Sequence, residues 1–293
     1  MDITWSTSIE ASALRNLESE VVPRDIEEDS EVAAEWRELR ALFAAFASSA
    51  FVSSSTLLQQ LIPLSTRIHA PRELAQAALN KLIGRDKSEP RVAELARILT
   101  TAKGIYSRAN PQAEEDLNGS LARNRALWGE QGAHTIRTAG LLLPPGILAE
   151  HANLAIIDTA GSGGTAYPSH NLVCWEMSSS DLLQLTWLVS TLNLDLPRFR
   201  ENLQPRSAEW ICALAMIPVV VASHSSKGAE RTISPQEIAE VMGRWIPDGG
   251  NENDVAEKLS RWWETYSDRR PAWETALLAL ERYLSPATDP AMV

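Results

Sequence analysis

Apolar residues recur at helical spacing along most of this chain, and this periodicity favours a mainly α fold. The clearest helix start is Ser234-Pro235-Gln236-Glu237, a capping box with proline in the first turn. Another long helix is expected after Pro23 and Asp25, with Trp36, Leu39, Phe43 and Phe46 on one face. Similar stripes predict further helices over residues 71–83, 88–110, 180–192, 254–266 and 273–284.

A stretch rich in glycine and proline interrupts this pattern. Residues 129–168 hold seven of the fourteen glycines of the chain, and two short apolar runs, 154–157 and 172–175, are compatible with a small pair of strands. We therefore expect two helical lobes joined by an irregular segment with at most a small β pair. The predicted parts are an N-terminal arm (1–25), a helical lobe (26–139), a connector (140–175), a second helical lobe (176–285) and a tail (286–293).

Charge is distributed unevenly along the chain. The protein carries a net charge of −11, yet residues 67–137 contain twelve basic and eight acidic residues, an excess of four positive charges. A basic middle between acidic ends attracts a polyanion to one face while the rest of the surface repels it. Arginine outnumbers lysine 22 to 5, and its planar guanidinium suits phosphate recognition.

The basic segment supplies the candidate binding residues. Arginines contact phosphates, and an unpaired base stacks on an indole or a guanidinium, so a cluster of arginines near a tryptophan is typical of RNA binding. Cations at a helix start add to the anion affinity of the free amides there. The residues predicted to bind RNA are Arg67, Arg72, Arg85, Lys87, Arg91, Arg123, Arg125, Trp128 and Arg137.

These features predict a protein that assembles on single-stranded RNA, with the arginines facing a groove between the lobes. An arm that carries Trp5, Ile9, Leu14 and Leu17 is expected to dock on a neighbouring subunit, because contacts between neighbours make weak phosphate binding cooperative. In organisation, the chain resembles viral nucleoproteins and coat proteins. The resemblance concerns architecture alone and implies no role for any residue.

Two other classes of function stay open. One is a helical adaptor or regulatory module whose acidic ends meet a basic protein partner. The other is an enzyme with its site in residues 144–176, around Asp158, His151 and His170, which requires a carboxylate–imidazole pair there. The glycine cluster near Gly161 either binds an anion or serves as a plain connector. The sequence itself identifies no catalytic residue, cofactor or metal site.

The remaining features concern the cellular compartment. Cys174 and Cys212 fit neither a disulfide framework nor a zinc-ligand spacing, which favours two reduced and buried thiols. No secretory signal is recognisable, and no apolar run reaches the roughly 18 residues that span a bilayer. We therefore expect a cytoplasmic protein, or a virion component, without a membrane partner.

Overall fold

The computed structural model describes residues 1–18, 30–159, 163–193, 205–224, 233–246 and 252–284. The predicted helix start at Pro23 and Asp25, residues 19–25 of the arm, Gly161 and the tail 286–293 lie outside these ranges. The described residues divide into two compact units. The sheet unit comprises Thr4–Arg125 and Asn153–Ser180, and the C-terminal unit comprises Met1–Ile3, Ala126–Ala152 and Asp181–Val293. These boundaries differ from the predicted ones, since residues 126–139 group with the C-terminal unit and residues 153–175 with the sheet unit.

Helices make up most of the sheet unit. In chain order the unit contains β1 (Asp2–Thr7), α1 (Ile9–Glu18), α2 (Glu31–Ser49), α3 (Ser54–Ser65), α4 (Pro71–Ile83), α5 (Arg85–Ala109), α6 (Ala113–Leu127), β2 (His151–Ile157), β3 (Gly164–Tyr167), a 3-10 turn (Pro168–His170) and β4 (Leu172–Glu176). Three of these elements, β1, α6 and β2, each extend into the other unit at one end.

The predicted helices of this unit form where the apolar stripes place them. Ser30 caps α2, and the Trp36, Leu39 and Phe43 side chains on its inner face are buried. The helix α4 spans residues 71–83, as predicted, with proline in its first turn and Gly84 at its end. The mainly α fold is thus confirmed.

The prediction of at most a small β pair is wrong. The described strands form a four-stranded sheet in the order β1-β2-β4-β3. The strands β2 and β4 are parallel, from Asn153↔Leu172 to Ile157↔Glu176, and β3 lies antiparallel to β4. Residues of β4 are buried throughout, which is typical of a strand covered on both faces and explains why the sequence shows an apolar run there rather than an alternation.

The N-terminal residues belong to this core and do not form a free arm. Residues 2–7 form the edge strand β1, and the Ser8 amide donates a hydrogen bond to the Ile156 carbonyl (3.1 Å). Leu14 and Leu17 on α1 are buried in the apolar core of the same unit. These two leucines are therefore already packed within their own chain and are not free to anchor a neighbouring subunit.

Apart from the ends of β1 and β2, the described secondary structure of the C-terminal unit is helical. It contains a π-helical turn (Trp128–Gly132), α7 (Ala133–Leu142), α8 (Leu182–Ser190), α9 (Pro205–His224), α10 (Pro235–Trp245), α11 (Glu252–Arg269) and α12 (Trp273–Leu284). The capping box at Ser234 and Glu237 is present at the start of α10, as predicted. The helix α11 begins two residues before the predicted cap at Asp254.

Aromatic rings fill much of the C-terminal core. Trp187 stacks on Trp245 with ring centroids 5.2 Å apart, and Tyr266 packs against Trp262 and Trp273. Trp210, which its apolar surroundings in the sequence would also place in the core, is 44% exposed instead. Cys174 and Cys212 are free and buried, as predicted.

No single helix in the described parts of the chain is long and apolar enough to cross a bilayer. Taken together, α2 and α3 reach the required length and composition, with a bend of 104° between them.

Candidate nucleic-acid interface

The residues predicted to bind RNA are divided between the two units. Seven of the nine belong to the sheet unit, whereas Trp128 and Arg137 belong to the C-terminal unit. Within the described parts of the chain, none of the eight cations forms an ion pair with a carboxylate. Seven of these side chains are exposed, and one is half-buried; the exposed ones are Arg67, Arg72, Arg85, Lys87, Arg123, Arg125 and Arg137.

Trp128 does not present its ring to a base. The residue opens the π-helical turn after α6 and is only 6% exposed. Its indole lies so close to the Gly132 backbone that a methyl group there would overlap the ring. The assignment of Trp128 as a stacking residue is therefore wrong. Gly132 has no side chain, which leaves room for the indole to be buried in the core.

Arg123 and Arg125 lie on different faces of α6. Two residues along a helix correspond to a rotation of about 200°, so these side chains point in nearly opposite directions. The Arg123 guanidinium donates to the Met177 carbonyl (3.2 Å), just beyond the carboxyl end of β4. Ser120 Oγ donates to the same carbonyl (3.0 Å). Arg123 thus holds α6 against the sheet, and Arg125 is exposed on a separate face.

At the opposite end of β4, two cations converge on one histidine. Lys81 Nζ donates to His170 Nε2 (3.3 Å), and Arg67 Nη2 donates to the His170 carbonyl (3.2 Å). Ser169 Oγ lies 3.0 Å from His170 Nδ1. Because an ammonium only donates, Nε2 is the acceptor and the imidazole is the neutral tautomer with its proton on Nδ1. Burial, together with the positive charges of Lys81 and Arg67, lowers the pKa of His170.

Two more cations of the predicted set follow Lys81 directly. Arg85 and Lys87 lie in the first turn of α5, both exposed. A hydrogen bond from Ser88 to Asn80 ties this turn to the last turn of α4, which carries Lys81. Gly84, between the helices, has a φ of +81°, a conformation that favours glycine and permits the tight reversal. We call Arg67, Lys81, Arg85, Lys87 and His170 the cationic strip.

Arg91 extends the strip toward the end of α2. Its guanidinium donates to the Lys87 carbonyl (3.0 Å) and to the Ser49 carbonyl (3.1 Å), so one side chain connects α5 with the last turn of α2. A cation at a helix carboxyl end interacts favourably with the helix dipole. Arg91 therefore has a structural role, while its charge adds to that of the strip.

Sequence reasoning did not group Lys81 and His170 with the predicted cations. It also missed Phe51, whose side chain is 92% exposed in the turn between α2 and α3. The only signal for Phe51 was its isolation in a stretch without charges, since no charged residue occurs between Arg40 and Arg67. For His170, the relevant neighbours lie about a hundred positions away in sequence, and nothing local indicates them.

The constellation expected for an enzyme is not brought together. His151 begins β2 and Asp158 follows its last residue, so the two lie about 20 Å apart along an extended strand. His170 precedes β4, which is parallel to β2, and thus lies at the end opposite to Asp158. Asp158 instead accepts a hydrogen bond from the Tyr106 hydroxyl (2.7 Å), and burial and this carboxylate raise the pKa of Tyr106.

A carboxylate–imidazole pair does occur elsewhere in the sheet unit. Glu10 lies 3.4 Å from His69 Nδ1 and accepts a hydrogen bond from Lys103 Nζ (2.7 Å), beside a pocket between α1, α4 and α5. Burial alone would raise the pKa of Glu10, but the hydrogen bonds from Lys103 and the backbone, together with the charges of Lys103 and His69, outweigh burial and lower the pKa. The pocket has a volume of about 20 Å³, little more than one water molecule requires. It has no room for a substrate of ordinary size.

Gly163 has a defined structural role at the carboxyl end of β4. Its carbonyl accepts a hydrogen bond from the Glu176 amide (2.9 Å), and its φ of +112° favours glycine.

Among the described residues, no group of three or more His, Cys, Asp or Glu side chains is placed to hold a metal ion.

Comparisons with protein-family models, curated proteins and solved structures gave no match.

Proposed function

We propose that this protein binds single-stranded RNA by holding its phosphates on the cationic strip. The observation that supports this proposal is the convergence of Lys81 and Arg67 on the neutral His170, with no carboxylate paired to either cation in the described parts of the chain. Both cations contact the same residue, and an anion bound there would be attracted by both charges. In a protein with a net charge of −11, such a concentration of positive charge is unlike its surroundings.

The length of the strip favours a chain of phosphates over a single anion. The cations come from three separate places: the residues just after α3, the last turn of α4 and the first turn of α5. A flexible single strand can follow these positions phosphate by phosphate, whereas bending a stiff duplex to follow them costs free energy. The groove between lobes, expected from the sequence, is not needed for this proposal.

Salt dependence gives the first test. Four phosphate contacts correspond to a slope of roughly −3 in log K against log salt, or about 50-fold weaker binding between about 50 and 200 mM salt. Fluorescence anisotropy of a labelled oligouridine of about twenty nucleotides measures this directly. Binding that is independent of salt would contradict phosphate recognition.

Charge reversal identifies the residues. The double variant Lys81→Glu/Arg85→Glu should weaken binding strongly and reduce the salt slope to about half. Arg97→Glu/Arg125→Glu is the matched control, because it changes the net charge equally at exposed residues outside the strip. Equal weakening by both variants would mean that only net charge matters, and the strip would not be the binding site.

Self-assembly on RNA remains part of the proposal, although not through Leu14 and Leu17, which are buried in the core of their own unit. Light scattering with oligouridines of increasing length should show the mass rising in steps of one protein chain. One chain per RNA at every length would contradict assembly and leave phosphate binding to be judged by the anisotropy experiment.

A further inference from the structure

We infer that Phe51 is a stacking surface for a base of the strand held on the cationic strip, an inference that rests on the proposed function. The phenyl ring is 92% exposed, although both neighbours turn inward: Ala50 is buried and Val52 is half-buried. A phenylalanine exposed to this extent contributes little to the core of its own unit.

The backbone conformation of Phe51 makes a phenylalanine at this position unusual. Its φ is +59°, in the left-handed region that a bulky residue adopts at a cost and that glycine or asparagine adopts readily. The turn is closed by backbone hydrogen bonds, from the Phe51 amide to the Ser48 carbonyl (3.0 Å) and from the Val52 amide to the Ala47 carbonyl (3.1 Å). Neither bond requires an aromatic side chain, so the fold of the turn does not account for the phenyl ring.

The position of Phe51 relative to the cations indicates what it contacts. Arg91 joins the Lys87 carbonyl, at the start of α5, to the Ser49 carbonyl, two residues before Phe51. The exposed ring therefore lies two residues beyond the carbonyl that binds Arg91, and no charged residue occurs in the surrounding segment from Ala41 to Thr66. A nucleotide offers the complementary pair of groups, a negative phosphate and a planar base.

A protein partner fits the surface less well than a base does. Among the described large apolar side chains of the sheet unit, only Leu42 and Phe51 are exposed, and Leu42 is 46% exposed. Serine residues dominate the sequence around Phe51, with Ser48, Ser49 and Ser53 close to it. A protein interface normally has a larger apolar centre than one such ring.

Two probes separate stacking from phosphate binding: a labelled oligouridine and an abasic oligonucleotide of the same length. Phe51→Ala should weaken binding of the oligouridine about tenfold and leave binding of the abasic probe unchanged. Phe51→Trp should bind the oligouridine at least as tightly as the wild type. Leu42→Ala, the matched control, should bind both probes as the wild type does.

A second variant tests whether a loss of affinity comes from misfolding. Phe51→Gly removes the ring and fits the positive φ, so it should melt at a higher temperature than the wild type while losing the same affinity as Phe51→Ala. Equal weakening of both probes by Phe51→Ala, unchanged binding of the oligouridine, or an equal loss in Leu42→Ala would overturn the stacking role but not the strip. Failure of the wild type to bind either probe would overturn the proposed function and, with it, this inference.

Discussion

Basic residues lie near both ends of β4, but their hydrogen-bond partners differ. At the carboxyl end, Arg123 donates to the Met177 carbonyl and the Trp175 indole donates to Asn124 Oδ1 (3.2 Å), so the polar groups hold α6 against the sheet. At the amino end, Lys81 and Arg67 meet around His170, where no carboxylate is paired with them in the described structure. The first arrangement pairs the cation with groups of the protein itself, whereas the second leaves two cations without a paired carboxylate in the described structure, which is why we propose that an anion binds there. Basic residues close in sequence can thus have either role, and their partners in space decide which.

The largest effect should come from breaking the carboxyl end. Trp175→Ala removes a fully buried indole and leaves Asn124 without its donor. We expect a loss of about 3–5 kcal/mol in the free energy of unfolding, as for other buried tryptophans. Chemical denaturation followed by circular dichroism measures it, and a loss below about 1 kcal/mol would show that this end is not structural.

A matched pair of neutral substitutions compares the two ends directly. Arg123→Met should lower the free energy of unfolding by about 1 kcal/mol, because a charged donor to the Met177 carbonyl is lost from a partly solvated site. Lys81→Met should leave it unchanged within about 0.5 kcal/mol or raise it, because repulsion is relieved.

The two variants should also differ at His170. Lys81→Met should move the pKa of His170 upward toward its ordinary value, as measured by NMR titration of the imidazole, whereas Arg123→Met should not change it. If both arginine and lysine variants destabilise the protein equally, the contrast between the ends disappears.

The smallest effect is a dependence of stability on pH. The folded state disfavours protonated His170, so its pKa lies below the value of about 6.5 expected in the unfolded chain. As the pH falls through this window, the unfolded state takes up the proton first, and stability is lost. Melting temperatures between about pH 7.5 and 5 should therefore fall less in His170→Gln than in the wild type.

RNA should reverse this dependence if it binds at the strip. A phosphate near His170 favours the protonated imidazole, so affinity for oligouridine should increase as the pH is lowered through the same range. An increase of equal size in His170→Gln would assign the effect to another group.

The sequence predicted what is determined locally. The capping box at Ser234 and the stripe from Trp36 to Phe46 depend on neighbours within a few turns, and the corresponding helices are present. The strand β1 was missed because it is stabilised by β2, about 150 residues later in the chain. The strand β3 is only four residues long and has no pattern that distinguishes it from a loop.

The candidate site was predicted in part for the same reason. Residues of the strip were recognised as a local excess of positive charge, but the convergence of Arg67 and Lys81 depends on His170, which another part of the chain supplies. Trp128, which was expected to stack on a base, is buried, whereas Phe51, which was assigned no role, is exposed, since nothing in a sequence tells which aromatic ring a turn exposes and which a glycine buries. Burial and backbone conformation at these two residues required the folded chain.

The two hydrogen bonds of Arg91 have a consequence for the length of RNA that the protein would need to bind. Because one guanidinium fixes the start of α5 to the end of α2, the protein sets the distance between the cations that would hold the phosphates and the ring at Phe51. This distance determines the shortest oligonucleotide that could reach both. Oligonucleotides shorter than this distance would reach one element but not both, so affinity should rise abruptly at a threshold length instead of growing evenly with each added nucleotide.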